Sequence, residues 1–344
     1  MPRRRTLPAT LETDFPRLSA AMPSAGPTQV REPRPAWILA GCTATGKSAL
    51  AQRIAEATGA AIVSADSMLV YRGMDIGTAK PTPAERGGVP YLGIDLATPA
   101  EPFSAGAWLK AVRRQLDALP PPSPDDSRLP GHGLVVVGGT GLYLRALLRG
   151  LDSPPSDAAS RSAWQSCFAE GGVPALQAAL RSQAPEALEA LSGSDRINPR
   201  RLIRALEKQE AAATPAARGK PQPTIRPCGI VTLSIPTVLL NERIAGRIAA
   251  MFDEGLPEEV ARLRAAYPTW SSTAAAAIGY AEVAAMLDGA ITRDEAMRRI
   301  ATRTRRLAKR QRTWFRHQLE SVPVDASSHD VAALEQAVLA AFSR

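Results

Sequence analysis

The sequence predicts an α/β protein: a parallel sheet with flanking helices, interrupted by a small all-helical insertion and followed by a helical C-terminal region. Three observations lead there. From residue 36 onward, short apolar runs alternate with helix-like stretches, the sequence form of a parallel sheet with helices on its faces. The first apolar run leads into GCTATGKS (41–48), and a helix-like ALAQRIAEA follows at once. Gly41, four residues and Gly46-Lys47-Ser48 is the spacing of a P-loop, so the expected fold is P-loop NTPase-like. After Gly150 the apolar runs give way to short helical stretches separated by Gly, Ser and Pro.

Taken in order, residues 37–40 are the first expected strand and 47–58 its helix. Residues 60–64 form a second strand and 91–96 a third, and Ser104 caps a helix running to about residue 119. PPPSPDDSRLPGHG (120–133) is a polar linker, and the wholly apolar 134–137 is a central buried strand. Helices at 161–170, 173–181 and 185–191 make up the insertion, and 200–209 is helical again. Residues 211–227 read as a Pro/Ala/Gly loop, 229–235 as a strand returning to the sheet, and the chain from 239 as almost wholly helical. The expected organisation is a disordered extension (1–35), the first part of a P-loop core (36–150) and a helical insertion (151–198). A continuation of the core with basic C-terminal helices (199–320) and a tail (321–344) complete it.

Composition narrows the partners. The 344 residues carry a net charge of +9, and residues 293–316 alone hold ten basic residues against two acidic ones. Such a concentrated basic segment reads as a docking surface for an acidic partner. The three cysteines, Cys42, Cys167 and Cys228, are far apart with no CxxC spacing, which argues against a disulfide framework or a zinc site. No apolar run approaches the ~18 residues of a membrane span. Residues 1–35 lack the apolar core of a signal peptide, and Met22 within them is a candidate alternative start. A cytoplasmic, reduced protein with no membrane partner is expected.

The P-loop promises a phosphate. Its glycines let backbone N–H groups turn toward an anion, Lys47 adds a mobile positive charge, and the Ser48 hydroxyl is placed to hold Mg²⁺. A hydrolytic motor is disfavoured, because the strand at 134–137 runs into Gly138-Gly139-Thr140 rather than into an aspartate. The acidic residue at a strand end is Asp66. By position alone it is a turn former or cap, but the Gly-rich, charged loop GMDIGTAKP that follows points to a site where a second substrate meets the phosphate.

Five segments resemble one family: DSMLVYRGMDIGTAKP (66–81), VVGGTGLYLRALLRGL (136–151), INPRRLIRALE (197–207), NERIAGRIAAMFDEGLPEEV (241–260) and TRRLAKRQRTWFR (304–316). Together they are similar to the bacterial tRNA dimethylallyltransferases, or tRNA isopentenyltransferases, over residues 37–316. The resemblance implies that Gly41, Thr43, Ala44, Thr45, Gly46, Lys47 and Ser48 bind the diphosphate of dimethylallyl diphosphate, with Mg²⁺ on Ser48. The acceptor it implies is N6 of the adenine just 3′ of the anticodon, tRNA position 37. Asp66 is then the base, Thr140 lies where base and donor meet, and Arg243 faces the diphosphate. The implied tRNA contacts are Asp66, Ser67, Met68, Leu69, Thr140, Arg161, Arg200, Arg201, Leu202, Ile203, Arg204, Gly279 and Tyr280, in a protein expected to be a monomer.

The chemistry needs the same residue types. An adenine amino group is a poor nucleophile, so a base that takes its proton during attack helps by ~10²- to 10⁴-fold. Cleavage of an allylic C–O bond builds charge on diphosphate, which Lys47, Mg²⁺ and an arginine would stabilise. For Arg243 the competing reading is a solvated helix face shared with Arg247. Leu307, Trp314 and Phe315 are expected to pack inward and leave the arginines of their helix exposed.

Several positions depart from the family pattern. Cys42 stands where proline is usual, and Tyr91 and Leu92 where histidine is usual. AAIGYA (276–281) lacks flanking basic residues, and the 120–133 linker is longer. Two other functions share some of these features. A P-loop small-molecule kinase would explain the loop but not the basic helix. A non-catalytic RNA-binding protein with a vestigial P-loop would not need an intact Lys47 and Ser48.

Overall fold

The computed structural model describes residues 32–119, 133–151, 157–213, 221–328 and 330–343. The expected extension lies outside the described residues up to 31, as do 120–132 of the linker and 214–220 of the loop before the last expected strand.

The chain runs β1 (Arg34–Gly41), α1 (Lys47–Thr58), β2 (Ala61–Ser64), the short α2 (Pro83–Arg86), β3 (Tyr91–Leu92), α3 (Ala105–Ala118), β4 (Leu134–Gly138) and α4 (Gly141–Arg149). The insertion follows as α5 (Ala158–Gln183), α6 (Pro185–Glu189), α7 (Gly193–Arg196) and α8 (Pro199–Ala213). The chain returns as β5 (Ile225–Ser234), α9 (Thr237–Asp253), α10 (Leu256–Ala266), α11 (Tyr280–Leu287), α12 (Arg293–Gln318), β6 (Val322–Asp325) and α13 (Val331–Phe342).

All strand pairs are parallel, in the order β3-β2-β4-β1-β5-β6. The wholly apolar β4 lies inside the sheet, and every one of its residues is buried, as expected of a strand covered on both faces. Because all strands point one way, the turns after β1, β2 and β4 emerge side by side at one edge of the sheet. Open parallel sheets bind ligands at that edge.

Several local expectations hold. Ser104 caps α3 by accepting the Ala107 N–H. The break between the two expected insertion helices falls at Gly172, whose φ of 64° interrupts α5 just before Pro174. The third strand, by contrast, is only two residues long. Strand β5 starts four residues earlier than expected, and a bulge between the pairs Ala36–Pro227 and Trp37–Gly229 lets it continue past Pro227.

Two boundaries change. The insertion has its own core of Leu176, Leu180, Ala184, Leu188, Leu202, Ile203 and Leu206. Helix α8 therefore belongs to the insertion, which reaches residue 213, rather than to the continuing core from 199. The segment 321–344 is not a tail. Its β6 extends the sheet beside β5, and Phe342 of α13 stacks on Trp37 of β1 at 4.6 Å between ring centroids. At the other end, β1 begins at Arg34, inside the segment expected to be disordered.

Candidate active site at the strand ends

The P-loop leaves β1 at Gly41 and enters α1 through Gly46, whose φ of +86° is a left-handed conformation that glycine adopts without strain. Lys47 opens α1, buried at 8% exposure, with Nζ 3.5 Å from the Cys42 carbonyl. The Thr45 hydroxyl donates to that carbonyl at 2.9 Å. Ser48 is exposed beside Lys47, and both line a small cavity with Asp66, Leu69, Pro81 and Tyr91.

Asp66 follows β2 by two residues. Its Oδ1 accepts the Met68 N–H at 2.9 Å, closing a tight local turn. Thr140, at the end of β4, is tied to the same turn: its Oγ1 accepts the Ser67 N–H at 3.1 Å, and its own N–H donates to the Ala65 carbonyl. Asp66, Ser67, Met68, Leu69 and Thr140 thus form one cluster, of which Asp66 and Leu69 line the cavity with Lys47 and Ser48.

The electrostatics suit an anion. Burial pushes the Lys47 ammonium below its ordinary pKa; Asp66 partly opposes the shift and Arg247 adds to it. Burial likewise lowers Arg247, again opposed by Asp66. Asp66 faces both cations and Glu254 also acts on Arg247, yet burial still dominates at each, and a bound diphosphate would offset that cost. Among the described residues no cluster of three or more His, Cys, Asp or Glu is placed to hold a metal. Ser48, exposed beside Lys47, is the hydroxyl that would hold Mg²⁺.

The structure corrects several expected roles. Arg243 turns its guanidinium to the Ala326 carbonyl at 3.1 Å. One turn later, Arg247 donates to the Thr43 hydroxyl at 3.3 Å and to the Thr78 carbonyl at 3.4 Å. The arginine that α9 delivers to the P-loop is Arg247. Leu202 and Ile203 are buried in the insertion core, so their side chains are not RNA contacts. Tyr280 is 2% exposed and donates its hydroxyl to Glu259 at 2.7 Å, while Gly279 caps α11 with its N–H on Glu282. This pair builds the fold rather than a surface for RNA. Arg161 and Arg204 both bind the buried Glu207 at 2.7 Å, which offsets part of their charge. Arg200 and Arg201 are exposed, and Arg201 pairs with Asp195 at 3.6 Å.

Helix α12 presents Arg305, Arg306, Lys309 and Arg310 to solvent and buries Phe315; Trp314 and Leu307 are half-buried. Trp314, Lys309 and Arg310 border an open groove with Thr313, His317 and Gln318. The small cavity lined by Lys47 and Ser48 at the strand ends thus lies on a fold that also presents a cationic helix.

A family model described as IPP transferase matches residues 69–318, and one described as isopentenyl transferase matches 35–92. The chain belongs to the IPP transferase family. The tRNA dimethylallyltransferase of Rhodococcus jostii is 40% identical to it over 294 residues, 85% of this chain and 92% of the relative. That of Corynebacterium jeikeium is 38% identical over 293 residues, 84% and 91% of the two chains. The crystal structure of a full-length tRNA isopentenylpyrophosphate transferase from Bacillus halodurans is 30% identical, with a TM-score of 0.58 over 90% of this chain and 96% of that one.

Three further residues escaped the sequence reading. Arg247 had a signal, since it shares a helix face with Arg243. Glu259 and Gln311 lie within motifs that resemble the family, but nothing in them names their partners, which lie far away in the chain. Glu259, 1% exposed, accepts the N–H groups of Asp75, Ile76 and Gly77 at 3.0, 2.8 and 3.2 Å and so fixes the loop that brings Pro81 to the cavity.

Proposed function

We propose that this member of the IPP transferase family transfers the dimethylallyl group of dimethylallyl diphosphate to N6 of adenine 37 in tRNA, giving N6-isopentenyladenosine and diphosphate. The observation that carries the proposal is the meeting of Lys47, Arg247, Asp66 and Thr140 at the ends of β1, β2 and β4. A diphosphate fits the buried Lys47 and the half-buried Arg247, and a proton acceptor stands beside them.

In the reaction the C1–O bond of the donor breaks and a bond from C1 to N6 forms. The N6 proton passes to the Asp66 carboxylate, and the bonding electrons leave with diphosphate. Lys47 and Arg247 stabilise the charge that grows on the departing oxygen. Mg²⁺ on Ser48, when bound, would add a further positive charge to the diphosphate. Thr140 and the Met68 N–H hold the segment that carries Asp66, so its carboxylate meets the acceptor already oriented.

A target adenine must leave the stack of the anticodon loop to reach this pocket. Arg200 and Arg201 on the insertion, and the exposed cations of α12, are the candidates for gripping the flanking backbone of the anticodon stem-loop. Because the substrate is tRNA, the protein is placed in the cytoplasm.

Mass spectrometry of nucleosides from tRNA incubated with the protein, Mg²⁺ and either dimethylallyl diphosphate or ATP tests the reading. Isopentenyladenosine should form with the prenyl donor and no ATP. An absolute requirement for ATP would overturn it in favour of a kinase.

A further inference from the structure

Helix α12 presents its cations on one side and rests on the phosphate pocket with the other. Gln311 makes that seat. Its Oε1 accepts the Thr43 N–H at 2.9 Å, at the crest of the P-loop, and its Nε2 donates to the Gly139 carbonyl at 3.0 Å, one residue before Thr140. One side-chain amide therefore spans the turns that leave two neighbouring strands, β1 and β4. The turn after β4 is shaped for close approach of α12. A Cβ at Gly139 would lie 2.4 Å from the Gln311 Nε2, and one at Gly141 would lie 2.3 Å from the Trp314 ring. On its other side Thr43 meets Arg247, so the crest of the loop is held between α9 and α12.

We infer that Gln311 is a positioning residue that couples RNA held on the exposed face of α12 to diphosphate held in the P-loop. The inference rests on the prenyl-transfer reading given above. A neutral amide acts here through hydrogen bonds rather than charge, and it supplies the one acceptor and one donor that the two turns require. RNA bound along α12 favours the seated helix. The seated helix in turn fixes Thr43 and the Gly139-Thr140 turn where the donor needs them. Two ligands that favour one arrangement tighten each other's binding by the same factor.

The test uses the full chain, a fluorescent anticodon stem-loop oligonucleotide, and inorganic diphosphate with Mg²⁺ as the donor-site probe. RNA affinity is measured by anisotropy with and without saturating diphosphate for the wild type, Gln311→Leu and Gln311→Asn. Diphosphate should tighten RNA binding to the wild type by about fivefold or more, the low end of measured couplings. Gln311→Leu should lose that tightening while its affinity without diphosphate stays within about twofold of wild type, a difference too small to count as a coupling. Gln311→Asn, too short to reach both turns, should fall between the two, and it carries the test if thermal unfolding shows the leucine variant to be damaged. Full tightening in both variants, or none in the wild type, would overturn the inference. Prenylation of the oligonucleotide by the wild type is assayed in parallel. Its absence would count against the donor reading alone, whereas normal prenylation with unchanged coupling in the variants would count against Gln311 alone.

Discussion

Replacing Arg247 by glutamine removes one of the two cations that flank the P-loop, and its neighbour Arg243 on α9 provides the control. In the free protein the guanidinium contacts of Arg247 are long, 3.3 Å to the Thr43 hydroxyl and 3.4 Å to the Thr78 carbonyl. Losing them costs about 1 kcal/mol of stability, since two such long contacts each sit at the low end of the ~0.5–1.5 kcal/mol of an ordinary hydrogen bond. Loss of a mutually repelling charge beside Lys47 offsets part of that. In the transition state the balance differs, because negative charge collects on the leaving diphosphate. Removing one group aimed at developing charge costs ~2.7–4 kcal/mol, or ~10²–10³ in rate. Arg247→Gln should therefore keep its thermal midpoint nearly unchanged and lose about two to three orders of magnitude in single-turnover prenylation at saturating tRNA and donor. Arg243→Gln gives up a bond to the Ala326 carbonyl, outside the pocket, and should stay within about fivefold of wild type, the rate equivalent of ~1 kcal/mol. Near-wild-type turnover of Arg247→Gln, or a loss in Arg243→Gln as large as in Arg247→Gln, would refute the assignment.

Asp66→Asn removes the proton acceptor but keeps a similar shape, so tRNA affinity should hold while single-turnover rate falls by roughly 10² or more; turnover within a few-fold of wild type would return Asp66 to a turn-forming role. Glu259→Gln turns an amide NH₂ toward backbone donors that the carboxylate now satisfies, at about 1–3 kcal/mol for each group left unpaired, and urea unfolding should show the loss. Tyr280→Phe removes a single bond to the same carboxylate, about 1.5–3 kcal/mol, and should cost less than Glu259→Gln, so equal losses in the two variants would contradict the network. Replacing Arg305, Arg306 and Arg310 together by Gln should weaken tRNA binding and flatten its dependence on log[salt] by about 0.7 for each phosphate no longer neutralised; an equal defect in donor affinity would show that α12 supports the fold instead.

What could be read from the sequence was local. GCTATGKS names its turn because glycine, lysine and serine at fixed spacing are what a loop closing on an anion requires, and β1 and α1 on either side confirm the context. The Ser104 cap and the break at Gly172 were legible for the same reason, since each signal lies within a few residues of its effect. Asp66 was legible at the end of an apolar strand, and Thr140 through the family motif that follows the next one. Their meeting follows from adjacent parallel strands, which place successive turns at one edge.

Docking decided the rest. Leu202, Ile203 and Leu206 lie at helical spacing, which shows that α8 is amphipathic but not which core receives it, and α5 rather than the sheet does. Val322 to Asp325 alternates over only four residues and includes a proline, too weak a pattern to read as a strand until β5 offers an open edge. Arg243 and Arg247 share a helix face about 6 Å apart along the axis, so only the seating of α9 against the P-loop selects the second. Glu259 reaches its loop across 182 to 184 residues and Gln311 reaches Thr43 across 268. Residue type and periodicity report what a side chain can do and which way its element faces. Which distant backbone group it meets depends on the packing of elements that share no local sequence signal, and that is where tertiary structure settled this site.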